Sequence, residues 1–157
     1  MADGKLSSVR VDSSVVPTQA NLDRIHAQEH GMCVITGPLN PTGLKLKFKV
    51  QPDGAVAAVF NCSPVLQSYA NVLHGGVISA ILDSAMVNAL FAIGIVAVTA
   101  TLELRYLGPT VIGRFAMARA WTESAAAHPL YAQRAELVQD NKVVVEARAK
   151  FIVRETR

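Results

Sequence analysis

Residues 71–86 read NVLHGGVISAILDSAM and contain the start of a long apolar segment. The stretch contains His74-Gly75-Gly76 and one charged residue, Asp83. From residue 75 to residue 93 apolar side chains recur every three or four positions, and Gly94 follows them. This spacing predicts one long, largely buried helix over 75–93.

The segment that follows Asp83, residues 84–102, has no charge and is long enough to be tested as a membrane span. Its periodicity is helical before Gly94 and alternating after it, whereas a spanning helix keeps one period. The segment is also interrupted by polar residues, at Asn88, Thr99 and Thr101. We therefore predict no membrane span, and the alternative is a membrane-embedded protein.

Alternation of apolar and polar residues predicts strands on both sides of the helix. Upstream they are 43–50, with lysines on the outer face, and 55–60, paired antiparallel through the turn at 51–54. Downstream, the strand 95–107 has apolar residues at even positions, with Thr99 and Thr101 at odd ones, and Gly108-Pro109 ends it. Three more strands are predicted, over 114–122, 130–138 and 142–153.

Only one helix in this order is long enough to serve as a crossover connection between parallel strands. The order therefore favours an α+β fold over repeated βαβ units. We expect an antiparallel sheet of five to six strands wrapped around one long central helix, with a short helix over 21–30 before it. Asn21 is the expected cap of that short helix.

The N-terminal part has few chemical signals. Residues 1–20 lack the apolar stretch of a signal peptide and predict a flexible tail before a single domain over 21–157. His26, His30 and Cys33 have spacings that could ligate zinc, but no second Cys/His pair lies nearby. Partly exposed residues at a helix end are the favoured interpretation, and neither a metal nor a cofactor is expected.

The amino-acid composition indicates the kind of domain and its cellular compartment. The chain has 157 residues, 51% of them hydrophobic and 17% charged, which predicts one domain with a sizeable core and excludes a disordered chain. Its two cysteines predict a reducing, cytoplasmic location without a disulfide framework.

Positive charge is concentrated in the last third of the chain. Residues 105–157 carry nine Lys/Arg against five Asp/Glu, which suits a phosphate-bearing ligand but is too thin for a nucleic-acid interface. Most of these residues are expected on solvated strand faces, and one or two could hold phosphates. The candidates are Arg105, Arg114, Arg119, Arg134, Arg148 and Lys150.

The helix start and Asp83 are the candidate chemistry. First-turn N–H groups have no acceptor within a helix, and two glycines let another molecule approach them, so they can form an oxyanion hole. An unpaired carboxylate inside an apolar helix is costly. Asp83, with Ser79 one turn before it, is therefore a candidate general base or nucleophile at an apolar pocket. The alternative is that Asp83 faces solvent or pairs with an arginine.

HGG followed by Asp83 on the central helix, and a strand whose Tyr106 precedes Gly-Pro, resembles the hotdog-fold acyl-CoA thioesterases of the 4-hydroxybenzoyl-CoA and phenylacetyl-CoA type. The resemblance covers about residues 26–153. It implies that the Gly75 N–H polarises the thioester carbonyl, that Asp83 activates water or attacks the carbonyl, and that Thr99 assists.

The resemblance also suggests residues around this centre. His74 would position the helix start or act as an acid/base, and Gly76 and Ser79 would contact substrate. Several such families carry Asn or Gln six residues before the histidine, where this chain has Ser68 with Gln67 beside it.

Gly75 and Asp83 are eight residues apart, about 12 Å along a helix. One thioester can hardly meet both on the same helix, so we expect the two residues of a site to come from two subunits of a homodimer or of a dimer of dimers, a homotetramer. The predicted function is hydrolysis of acyl-CoA thioesters. The alternatives are a noncatalytic hotdog protein that binds an acyl or aromatic ligand and, less favoured without an Asp-His pair, a hydratase.

Overall fold

The computed structural model describes residues 5–127 and 129–154. Its two helices are α1 (Gln19–Glu29) and α2 (Gly75–Ala92), and a short 3₁₀ turn covers Pro64–Leu66. The strands are β1 (Lys49–Val50), β2 (Val56–Asn61), β3 (Ala97–Tyr106), β4 (Phe115–Ala127), β5 (Leu130–Gln139) and β6 (Lys142–Val153). All six strands form one antiparallel sheet in the order β1-β2-β4-β5-β6-β3. The predicted α+β architecture is confirmed.

Small side chains on the inner face of the sheet bring α2 close to it. Ala116, Ala118 and Ala120 of β4 are at most 2% exposed, and Ala135 of β5 is 3% exposed. On the helix side, α2 buries twelve residues, and all twelve lie between Ile78 and Ala92. The helix is thus the centre of the core, as its periodicity predicts.

The same burial explains the uncharged segment. Within the described residues one helix, α2, is long and apolar enough to cross a membrane by length and composition, and 67% of it is buried inside the protein. Its apolar character is accounted for by the core of the fold.

The first helix starts earlier than predicted. α1 begins at Gln19, and its cap is Thr18, whose Oγ1 accepts from the Asn21 N–H at 3.2 Å. The prediction of Asn21 as the cap is wrong, because Asn21 lies inside the first turn and donates to the cap. The predicted division into a tail over 1–20 and a domain over 21–157 stays a prediction. Residues 1–4 and 155–157 lie outside the described residues.

The first strand is much shorter than the predicted 43–50. Only residues 49 and 50 pair with β2, because Lys45 has a φ of 54° and interrupts the extended backbone. The N–H groups of Leu44 and Leu46 instead donate to Val34 and Ile35 carbonyls, both at 2.9 Å. The predicted alternation of burial survives, since Leu46 and Phe48 are buried between exposed lysines.

An extra residue in β3 changes which way Thr99 faces. Thr99 pairs with Phe151 and Thr101 pairs with Lys150, so two steps on β3 oppose one step on β6. Ala100 is therefore the extra residue of a β-bulge. Directly paired residues share a face, so Thr99 lies on the inner face with the fully buried Phe151, while Thr101 lies outside with exposed Lys150. The strict alternation predicted for this strand is wrong at this position.

β3 is also the edge of the sheet and is mostly exposed. Its inner-face side chains Leu102 and Tyr106 are 37% and 49% exposed, and Val98 is 53% exposed. The core face that the sequence predicts for this strand is therefore left largely uncovered by the single chain.

Candidate active site

The two glycines at the start of α2 have different partners. His74 caps the helix, and its Nδ1 accepts from the Gly76 N–H at 2.9 Å. The His74 carbonyl accepts from the Ile78 N–H at 3.1 Å. Among residues 5–127 and 129–154, the Gly75 N–H has no acceptor. The amide of Gly75 is therefore the one open to a ligand oxygen, at the positive end of the helix dipole.

The Gly75 carbonyl, in contrast, is held by side chains. Tyr106 Oη donates to it at 2.7 Å, and Ser79 Oγ donates to it at 3.0 Å. The two hydroxyls are themselves 3.0 Å apart. Ser79, predicted to contact substrate, thus has its hydroxyl directed toward Gly75 and Tyr106.

The predicted pair of Asp83 and Thr99 is brought together. Thr99 Oγ1 donates to Asp83 Oδ1 at 2.6 Å, which is possible because the bulge at Ala100 places Thr99 on the inner face. Asp83 is half-buried, and no arginine in the described part of the chain forms an ion pair with it. The carboxylate thus lies between the helix and the edge strand rather than sealed in the core.

A cavity of about 450 Å³ opens beside this carboxylate, between α2, the start of β3 and the loop after α1. One face of α2 lines it with Ala80, Asp83, Ser84, Val87 and Phe91. Apolar residues contribute to the rest of the lining, namely Val34, Ile35, Val96 and Val98. The arrangement can hold an apolar group next to a carboxylate, with Glu29 and the ion-paired Arg154 at its border.

The remaining predicted residues lie at the N-terminal end of α2 or just before it. Gln67 and Ser68 are exposed and belong to a turn before α2, in which Gln67 Oε1 accepts from the Asn71 N–H at 3.4 Å and the Ser68 N–H donates to the Val72 carbonyl at 2.9 Å. His74 and Gly76 are also exposed. Within one chain, this group and the Asp83 group remain separate.

Half of the basic candidates are already neutralised. Arg119 lies 3.1 Å from Asp53 and 3.3 Å from Glu136, and it is only 8% exposed. Arg114 and Arg134 pair with Asp140 and Glu123. In the described ranges the other three candidates are exposed and have no ion pair: Arg105, Arg148 and Lys150.

The lowered pKa of the Cys33 thiol was not predicted from the sequence. No three His, Cys, Asp or Glu side chains of the described residues group so as to hold a metal ion. Burial opposes ionisation of the Cys33 thiol, but hydrogen bonds from His30 and Thr36 outweigh it and lower its pKa from 9.0 to about 6. Cys33 lines the same cavity as Asp83. The His30-Cys33 spacing was the available signal.

Cys33 is expected to react with iodoacetamide through its thiolate, with a rate that reaches half its maximum near pH 6. Cys62 is the internal control, because it is 0% exposed and burial raises the pKa of its thiol. Mass spectrometry of the native protein at pH 7 should show Cys33 alkylated at least about tenfold faster than Cys62. Equal rates, or a midpoint above pH 8, would contradict the assignment.

Comparison with known proteins identifies the fold. The sequence profile of the thioesterase superfamily matches residues 70–132, which include the start of α2, Asp83 and Thr99. No curated protein matches the chain. The resemblance to the hotdog-fold thioesterases, drawn from the HGG motif and Asp83, is thereby confirmed.

Solved structures agree with this fold. The Escherichia coli PaaI protein from the phenylacetic acid degradation operon superposes with a TM-score of 0.72 at 19% identity, over 87% of this chain and 95% of that one. A hypothetical thioesterase from Streptococcus pneumoniae, solved with coenzyme A, gives 0.64 at 16% identity over 71% and 88%. A Streptococcus mutans protein bound to acetyl-CoA gives 0.64 at 18% identity over 71% and 90%.

Variants of the Streptococcus pneumoniae protein have also been solved. One has an aspartate replaced by alanine, and another has a threonine sixteen positions later replaced by alanine. These two structures match this chain at 14% identity.

Proposed function

We propose that this protein hydrolyses acyl-CoA thioesters to a free acid and coenzyme A. The observation that carries the proposal is the Asp83 carboxylate, held by Thr99 at 2.6 Å beside a largely apolar cavity. Asp83 and Thr99 are sixteen residues apart, the same spacing as the aspartate and threonine replaced in the Streptococcus pneumoniae thioesterase. The match to the thioesterase superfamily supports the same reaction class.

The free N–H of Gly75 supplies the second half of the chemistry. A thioester carbonyl bound there would develop negative charge on its oxygen next to a backbone donor and the helix dipole. Water attacks the carbonyl carbon while Asp83 takes its proton, the C–S bond then breaks, and coenzyme A leaves with that proton. In the nucleophilic variant the Asp83 carboxylate forms a C–O bond to the acyl carbon, the C–S bond breaks and coenzyme A leaves as the thiolate, and water then attacks the Asp83 carbonyl of the resulting anhydride and releases the free acid. When water attacks the Asp83 carbonyl of the anhydride, hydrolysis in ¹⁸O-water under single turnover labels Asp83, whereas the general-base route labels only the released acid.

Both groups can act on one carbonyl only if they come from two subunits. Gly75 and Asp83 are separated by eight residues, about 12 Å along α2. We therefore assign Gly75 to one subunit of a homodimer and Asp83 to its partner.

The exposed edge of the sheet is the surface for this dimer. β3 is ten residues long, pairs with no described strand other than β6, and presents Val98, Leu102 and Tyr106 at 37% to 53% exposure. An unpaired strand edge with apolar side chains is a template for pairing with another strand. Pairing of β3 with its copy would also bring the Thr99 and Asp83 of one subunit toward the helix start of the other.

Coenzyme A phosphates are assigned to the basic candidates that form no ion pair among the described residues. Arg105 and Arg148 lie on the outer face of neighbouring strands β3 and β6, and Lys150 follows one repeat later. Their exposure leaves their side chains available to phosphate oxygens.

Thiol release from short, aromatic and long acyl-CoAs, followed with a thiol reagent, tests the proposal. We expect turnover with at least one acyl class, and a solution mass of two chains or a multiple of two by light scattering. Thermal stabilisation by coenzyme A without thiol release from any of the substrates would instead support a noncatalytic binding protein. A monomeric enzyme with full turnover would overturn the two-subunit site.

A further inference from the structure

One peptide group at the start of α2 is held at both of its ends. The carbonyl of Gly75 accepts from Tyr106 Oη and Ser79 Oγ, at 2.7 and 3.0 Å. The N–H of the same peptide group, which belongs to Gly76, donates to His74 Nδ1 at 2.9 Å. Helix ends ordinarily fray, and glycine adds backbone freedom, so three side chains on one peptide group are more than a helix start requires.

The fixed peptide controls the neighbouring free amide. The N–H and the held carbonyl of Gly75 are joined through a single Cα atom. Rotation about the Gly75 backbone would turn the N–H relative to α2. With the carbonyl pinned by Tyr106 and Ser79, that rotation is blocked. An oxyanion donor must be aimed at the position of the developing charge before the reaction starts.

We propose that Tyr106 is a positioning residue that, together with Ser79, aims the Gly75 N–H at the thioester carbonyl. This inference rests on the proposed function and assigns Tyr106 a part in it. Tyr106 acts through Gly75 and does not touch the reacting atoms.

The phenol ring of Tyr106 packs against the backbone of Gly75. A Cβ at this position would lie 3.4 Å from Tyr106 Oη and 3.5 Å from Tyr106 Cζ, so the ring already lies against the glycine. Tyr106 is the last residue of β3, and its side chain reaches from the sheet to the start of α2. The contact therefore fixes the end of the edge strand against the end of α2 that holds the free amide.

Tyr106→Phe removes the hydroxyl and keeps the ring, and it is expected to lower kcat about tenfold with KM changed less than about twofold. Ser79→Ala should give a smaller loss of kcat, and the double variant should lose less than the product of the two because both hydroxyls hold one carbonyl. Tyr131→Phe, the same substitution at a half-buried tyrosine on β5, is the matched control and should leave kcat unchanged.

Two unreactive coenzyme A analogues separate positioning from general damage. In the ketone analogue a methylene between sulfur and carbonyl prevents hydrolysis, and the thioether analogue lacks the carbonyl. Tyr106→Phe should weaken binding of the ketone about tenfold and leave binding of the thioether unchanged. Equal weakening of both analogues, or no change in either, would overturn the inference. Because binding is measured without turnover, this result stands apart from whether the wild-type protein hydrolyses thioesters.

Discussion

Asp83→Asn is expected to lower kcat for acyl-CoA hydrolysis by about 10²- to 10⁴-fold, the range over which general acid–base groups contribute. Asparagine can still accept the hydrogen bond that Thr99 Oγ1 donates to Asp83 at 2.6 Å, so the local geometry is retained. What is lost is the negative charge that takes the proton from water. KM should change little, because the carboxylate acts on the reaction and not on the acyl group.

The measurement is steady-state thiol release on the best substrate of the panel, with thermal unfolding recorded for each variant. Asp140→Asn is the matched control, since it makes the same chemical change in the β5–β6 turn, where Asp140 has a φ of 52° and pairs with Arg114. Control and wild type should turn over equally. Turnover of Asp83→Asn within about threefold of wild type would contradict the assignment of Asp83 as the reacting carboxylate.

Gly75→Pro is expected to lower kcat by about 10²- to 10³-fold, the usual loss when one oxyanion donor is removed. Proline has no N–H and is favoured at the first position of a helix, where Gly75 stands. The preceding residue, His74, has φ −62° and ψ 127°, a conformation that suits the position before proline. The substitution therefore deletes the free amide and leaves the helix start intact.

Gly75→Ala is the control for space rather than for the donor. It keeps the N–H, and its Cβ would meet Tyr106 Oη at 3.4 Å, an ordinary contact distance. We expect alanine to retain most of the turnover that proline loses. Equal loss in both variants would show that the glycine is needed for room, and would contradict the role of its amide.

Mixing the Asp83→Asn and Gly75→Pro subunits tests whether one site draws on two chains. Random reassociation makes half of the dimers mixed, and each mixed dimer then has one intact site out of two, so about a quarter of wild-type activity should return. If both residues acted from the same chain, every site would carry a defect, and the mixture would stay as inactive as its components.

The long-range order of elements follows from the sequence because it depends on periodicity. The helical spacing predicts a helix over 75–93, and the structure ends α2 at Ala92, one residue earlier. β6 has the predicted bounds because alternation is unbroken from Lys142 to Val153. The first strand is shorter than predicted because Lys45 adopts a positive φ and its neighbours Leu44 and Leu46 donate to the loop after α1, and these non-local hydrogen bonds are not visible in the local sequence.

Some residues of the candidate site can be predicted from the sequence, and others depend on contacts formed only in the folded chain. Gly75 and Asp83 are recognisable from the motif and the isolated charge of the central helix. The orientation of Thr99 is not readable from alternation, because the bulge at Ala100 exists only through pairing with β6. The contact of Tyr106 with Gly75, across 31 residues, and the low pKa of Cys33 likewise depend on neighbours that only the folded chain supplies.

Ala100 also has a consequence for how this protein can diverge. One inserted residue divides β3 into a part that faces Asp83 and a part, from Leu102 onward, whose register with β6 is regular. If β3 paired without the bulge, Ala100 would stand opposite Phe151 and Thr99 would turn away from the helix while the following pairs stayed matched. A change in that one step of strand pairing would alter the chemistry of the site and leave the rest of the sheet as it is, which gives such a chain a short route between turning over a ligand and only holding it.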